Sequence, residues 1–279
     1  NEDYKFAGSP ERLTRARYRF LHDRVQQAAY GLVSENERPG LRLRCGHLLL
    51  AASNEAEIDE RLFIILESLN AAIEYIEDPA ERNQLLALNL RGGIRAKASS
   101  ASDTAVELLR HAESLLPADA WQEEPELALK VYKNLAEAEY LAGRFDTAEQ
   151  RLGKLIAAAP SVEAKVTLCL ALAELMNIRG RFGDAFDVLR QALDLLGRHF
   201  PETEEEAGPC FVAEFTEVDE LLAGRSEHEL LNHLDMSDPE RLLAMQVYYR
   251  LASATSQTTR DVRSVRVACR MVRAQRRLG

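Results

Sequence analysis

Two stretches of this chain are edited copies of each other, and a repeat on this scale leaves few folds open. GRFDTAEQRL, starting at Gly143, is matched by GRFGDAFDVL, starting at Gly180, so Gly143, Phe145, Ala148 and Leu152 correspond to Gly180, Phe182, Ala185 and Leu189. In the fuller unit, 132–160, Leu135, Ala138 and Leu141 recur at helical spacing and Gly143 breaks the helix. Ala148, Leu152, Leu155 and Ile156 then form the buried stripe of a second helix, which Pro160 ends. A more divergent copy aligns Ala105, Leu109, Ala112 and Pro117 with Ala148, Leu152, Leu155 and Pro160. Small alanines let the two helices approach, Phe145 and Phe182 plug the corner, and glycine takes the backbone angles that end the first helix. Such units bury their apolar faces on one another. The expected fold is therefore all-α, a right-handed α-α superhelix of antiparallel helical hairpins.

The unit resembles the tetratricopeptide repeat. Tyr132 falls on that repeat's aromatic position, Leu135 and Ala136 on its Leu-Gly pair, Ala148 on its small position and Pro160 on its terminal proline. Glu139 stands where an aromatic is usual, and the period exceeds the ordinary length of about 34 residues.

Composition narrows the class further. With 46% hydrophobic, 29% charged and only 6% aromatic residues, the chain has the makeup of a soluble helical protein. Its longest apolar runs are far too short to span a bilayer and its first residues form no signal peptide, so a cytoplasmic location and no membrane association are expected. Cys45, Cys169, Cys210 and Cys269 form no C-x-x-C pair, which predicts buried, reduced thiols rather than a zinc site. The chain begins with Asn and its last helix runs to Leu278 and Gly279 without a polar cap, so it is expected to be a piece of a longer protein.

Residues 1–12, polar and containing Gly8, Ser9 and Pro10, are expected to be a disordered leader. From 13 to 50 the sequence predicts two helices, the first with Phe20, Val25, Ala28, Ala29 and Leu32 on one face. Here Phe20, His22, Asp23, Val25, Ala28, Ala29 and Tyr30, then Glu37 and Arg38, then Leu41, Gly46, Leu48 and Leu49 carry a second resemblance. The pattern is similar to the join between ATPase and helical arm in the signal-transducing P-loop (STAND, AAA-type) ATPases. The likeness is greatest to large bacterial ones fused to serine/threonine or sensor histidine kinases, in which F-x-H-D-x-V-x-x-A-A-Y precedes the superhelix. Arg42 and Cys45 depart from it. LNLRGGIRAKAS from Leu88 and LLPADAW from Leu115 extend the likeness downstream. It implies that 13–50 are junction helices after an ATPase module and that Phe20, His22, Asp23, Tyr30 and Arg38 are candidate junction residues. ATP and magnesium would belong to modules elsewhere in the parent.

Residues 51–200 are read as the repeats, with a long helix over 55–76 carrying Leu62, Ile65, Leu66, Leu69 and Ile73 inward, then helices over 79–99 and 102–116. The segment 201–237, crowded with acids from Glu202 onward, is read as an acidic linker with a short helix. A further hairpin, cut short at the C-terminus, is read over 238–279.

No Gly-x-x-x-x-Gly-Lys-Ser/Thr run is present, none of the six histidines has ligand spacing, and no catalytic triad is suggested. The expectation is no catalytic, cofactor or metal residue in this stretch. On the last helix Arg263, Arg266, Arg270, Arg273 and Arg277 share a face that could meet an anion. Because the chain carries a net charge of −10 and an acidic block precedes them, self-complementation or contact with a following hairpin is favoured over nucleic acid. The first helix of each hairpin lines the concave side of a tetratricopeptide array. Mapping that face gives Lys97, Lys130, Lys133, Glu137, Tyr140, Glu174 and Asn177 as a candidate groove, suited to an acidic or extended peptide. The sequence thus predicts a non-catalytic interaction and regulatory arm of a multidomain ATPase-kinase. Its partners would be a protein, a peptide or neighbouring domains of the same chain, with oligomerisation left open. An effector-sensing arm of an ATPase-linked transcription regulator is the alternative, and an independent helical enzyme a third.

Overall fold

The computed structural model describes residues 22–199, 212–213, 216–220, 223 and 238–258. Among them the fold is all-helical, with no strand, and the chain divides into two compact units, Asn1–Glu77 and Asp78–Gly279.

The first unit holds α1 (Asp23–Gly31), α2 (Arg38–Ala51) and α3 (Glu55–Asn70). Helix α3 starts on a reciprocal cap: the Asn54 side chain accepts from the Glu57 amide and the Glu57 carboxylate from the Asn54 amide, both at 3.0 Å. It buries Leu62, Ile65, Leu66 and Leu69 and packs on α2, where Leu69 lies against the bare Cα of Gly46. The expected helix over 55–76 is shorter than its pattern suggested. It stops at Asn70, and a 3₁₀ turn, Ile73–Tyr75, tucks Ile76 rather than Ile73 into the core. The expected apolar face of α1 is also not buried: Val25 is 53% exposed and Leu32 88%, because no described helix lies over them. Residue 50 falls inside α2, so the packed pair α2–α3 spans the domain boundary expected there.

The second unit comprises α4 (Pro79–Ala98), α5 (Ser102–Leu115), the single turn α6 (Ala120–Glu123), α7 (Pro125–Leu141), α8 (Phe145–Ala158), α9 (Val162–Ile178), α10 (Phe182–Leu195) and α11 (Pro239–Thr258). Caps set the starts. Asp78 accepts from the Glu81 amide with Pro79 behind it, and Ser161 accepts from the Ala164 amide.

The turns between paired helices share one design. Gly143 has φ +77°, its amide donates to the Tyr140 carbonyl, and the Arg144 amide reaches back to Glu139 at 2.8 Å. Gly180 at φ +72° repeats this with Asn177 and Met176. At the α4–α5 turn the left-handed position is filled by Ser100, φ +61°, with the same pair of bonds to Lys97 and Ala96.

The hairpins α4–α5, α7–α8 and α9–α10 pack in succession. Their first helices touch in a row, α4 to α7 to α9 to α11, while α5 lies on α7, α8 on α9 and α10 on α11. The alanines at the copied positions, Ala105, Ala148 and Ala185, are fully buried, as are Leu109, Leu152 and Leu189. Glycine serves close packing at one further point: a Cβ on Gly93 would lie 2.5 Å from Leu109 Cγ.

Two corner expectations change. Phe145 is 37% exposed, standing edge-on to Tyr140 with the Arg179 guanidinium 4.9 Å from its ring centre, and Leu141 is 54% exposed at the open end of α7. Of the cysteines described, Cys169 is buried as expected, but Cys45 is exposed. Residues 1–12, the arginines on 263–277 and most of 201–237 lie outside the described residues.

Candidate partner groove

The row α4, α7, α9, α11 presents one face away from α5, α8 and α10, and two neighbouring cavities open on it. One, of about 410 Å³, lies between α4, α7 and α9 and is lined by Ile94, Lys97, Ala98, Glu137, Tyr140, Leu141, Ala171, Glu174, Leu175 and Ile178. The other, of about 720 Å³, lies between α7, α9 and α11. Lys133, Thr167, Leu170, Ala171, Glu174, Leu242, Met245, Gln246, Tyr249 and Arg250 line it. Ala171 and Glu174 belong to both.

Of the groove residues named from the sequence, Lys97, Glu137, Tyr140 and Glu174 line the first cavity, and Lys133 and Glu174 the second. Lys130 is exposed on α7 outside both, and Asn177, near the end of α9, has its Oδ1 buried without a hydrogen-bond partner among the described residues.

Charges along the groove are largely paired. Lys97 donates to Glu137 and, at 2.7 Å, to Asn134 Oδ1, and Lys133 Nζ lies 3.8 Å from Glu137. Arg250 donates to Glu174 at 3.0 Å, tying α11 to α9. Tyr140 is a floor residue rather than a surface contact. It is 3% exposed, its hydroxyl donates to the Leu175 carbonyl at 2.7 Å, and burial raises its phenol pKa, which keeps it a donor. Apolar side chains fill the gaps: Ile178 is 66% exposed and Tyr249 65%.

A buried ion cluster behind the groove was not anticipated. Glu139, fully buried on α7, accepts from Arg110 of α5 at 3.1 Å and from Arg151 of α8 at 2.8 and 3.1 Å, and Arg151 also holds Glu113 of α5. Burial opposes the Arg151 charge, but Glu139 and Glu113 outweigh it and raise its pKa. The sequence did carry a sign of this: Glu139 sits in the apolar stripe of α7, at a position where the tetratricopeptide repeat that the sequence resembles ordinarily has an aromatic. Trp121 packs nearby on Tyr132, ring centres 5.4 Å apart.

In the first unit, Tyr30 and Arg38 do meet, with the Arg38 guanidinium 5.0 Å from the ring centre. Arg42, which the sequence marked only as a departure from the junction pattern, is a further partner. It lies 5.5 Å from the same ring, donates to Tyr30 Oη at 3.2 Å and bonds Glu67 of α3. His22 is exposed, Asp23 begins α1, and Phe20 lies outside the described residues.

No described group of histidine, cysteine and carboxylate side chains is placed to hold a metal ion, and no described helix is long and apolar enough to cross a membrane.

The class these features define is an all-helical protein of paired helices with an open groove. Comparison with known proteins adds one relation. The chain is 25% identical over 196 residues to hybrid signal transduction histidine kinase G of Dictyostelium discoideum, an alignment covering 62% of this chain and 6% of that protein. It therefore spans a small part of the curated relative it matches. No family model matches the chain.

Proposed function

We propose that this chain is a non-catalytic, tetratricopeptide-like arm of a multidomain signalling protein, in which binding along the groove biases the state of attached ATPase and kinase modules. The observation that carries the reading is the likeness of this helical region to a small part of a hybrid histidine kinase. The open face of α4, α7, α9 and α11 supports it by supplying a surface on which a protein or peptide could act. Because each hairpin packs mainly on the next, small rotations at the groove would add along a superhelix and reach a distant module. Nucleotide and magnesium would be bound by the parent's other modules, in the cytoplasm.

The test uses the full-length protein that contains this segment. Autophosphorylation from ATP is measured with Ile178→Ser, a groove substitution at an exposed side chain that leaves the helices folded by circular dichroism. A changed rate or changed response to partner supports the reading. A full-length protein without kinase output, or with output indifferent to the groove, overturns it.

A further inference from the structure

Resting on that reading, we propose that the cavity between α4, α7 and α9 receives a partner polypeptide segment that sets a basic side chain beside an aliphatic one, the cation seated on Glu174. The cavity leaves large aliphatic side chains in water: Ile178 is 66% exposed and Leu141 54%, with Ile94 opposite them. Of the three ions lining it, Lys97 and Glu137 are paired with each other, and Asn134 takes a further bond from Lys97. Glu174 differs. Its side chain is 48% exposed and, among the described residues, it accepts one hydrogen bond, from Arg250. A carboxylate has about four acceptor positions, so it can take a second cation.

The backbone acts in the same direction. Ala98, Leu141 and Ile178 are the last residues of α4, α7 and α9, so the carbonyl ends of three long helices meet at this cavity and favour positive charge. An aliphatic stem ending in a cation is what lysine and arginine side chains supply. An acidic segment would instead have to displace Glu137 from Lys97, since that lysine is already engaged. Net charge of −10 over the chain steers basic partners toward it as well.

Two fluorescein-labelled peptides of equal length test this by anisotropy at low salt. They share two leucines and differ in carrying arginine or glutamate between them. The arginine peptide is expected to bind roughly tenfold more tightly, a preference that Glu174→Gln largely removes, whereas Ile178→Ser lowers the affinity for both peptides. Glu163→Gln, on the same helix but outside the cavity, leaves the preference intact. Equal binding, preference for glutamate, absence of binding, or a preference untouched by Glu174→Gln overturns the proposal. A glutamate preference lost in Ile178→Ser would overturn the basic partner while leaving the interaction arm standing; the arm itself fails only in the phosphorylation assay.

Discussion

Cys169 shows how one buried side chain makes stability depend on pH. It lies in the core of α9, 2% exposed, and burial pushes its thiol from an ordinary value near 9 up to about 11. In the unfolded chain the thiol ionises near its ordinary value, whereas in the folded chain it stays protonated to about two units higher. The stability Cys169 contributes is therefore fully present below about pH 9 and declines as pH rises through 11, by roughly 2–3 kcal/mol in all. The expected result is that Cys169→Ala, less stable than the parent at pH 7 because it removes packed atoms, closes that gap above pH 9. Urea unfolding across the pH range measures it, and a gap constant to pH 11 would refute the account. Cys45, exposed on α2, is the internal contrast: it should react with a thiol reagent in the native protein while Cys169 does not.

At the scale of elements, helices α5, α7 and α8 are joined by the cluster around Glu139 as well as by apolar contact. A buried carboxylate is costly unless paired, and here the two arginines differ: the side chain of Arg151 is 21% exposed and that of Arg110 50%. Arg151→Met should cost about 3 kcal/mol, because it removes two of the bonds to Glu139 and frees Glu113, whereas Arg110→Met should cost about 1 kcal/mol. Denaturant midpoints of the two variants and their double mutant would show this. Equal small losses would mean that water replaces the guanidinium freely. The cluster also marks how far the sequence could be read. Helix existence, the copied corners and the Asp78 cap follow from local rules, because periodicity, glycine and caps act over a few residues. Glu139 was visible only as a departure, since its partners lie 29 and 12 residues away in sequence on other helices. The same limit explains α1 and Leu141: periodicity shows that a face is apolar but not whether anything packs on it. Four of the groove residues line one cavity because they follow the inward face of first helices, a matter of register. That Lys97 and Glu137 would neutralise each other required the distance between α4 and α7.

At the scale of the whole molecule, each of the two units is a body with its own packing, and within the second unit contacts pass from one hairpin to the next. A protein packed this way should respond to damage locally, since a lost interface destabilises its neighbours more than distant hairpins. Gly93 offers a clean perturbation. Alanine there would gain about 1 kcal/mol of helix propensity, but its methyl would overlap Leu109, a fully buried side chain that would have to shift. Overpacking of this kind costs about 1–3 kcal/mol, so Gly93→Ala should be destabilising on balance. Hydrogen exchange read by mass spectrometry resolves where the loss falls. Amides of α4 and α5 should exchange faster, α7 should change less, and α9 and α10 should keep the parent's protection. Acceleration spread evenly from α4 to α10 would show instead that the second unit opens as a single cooperative body, and movement at the groove could not then pass from hairpin to hairpin in the graded way that the proposed function requires.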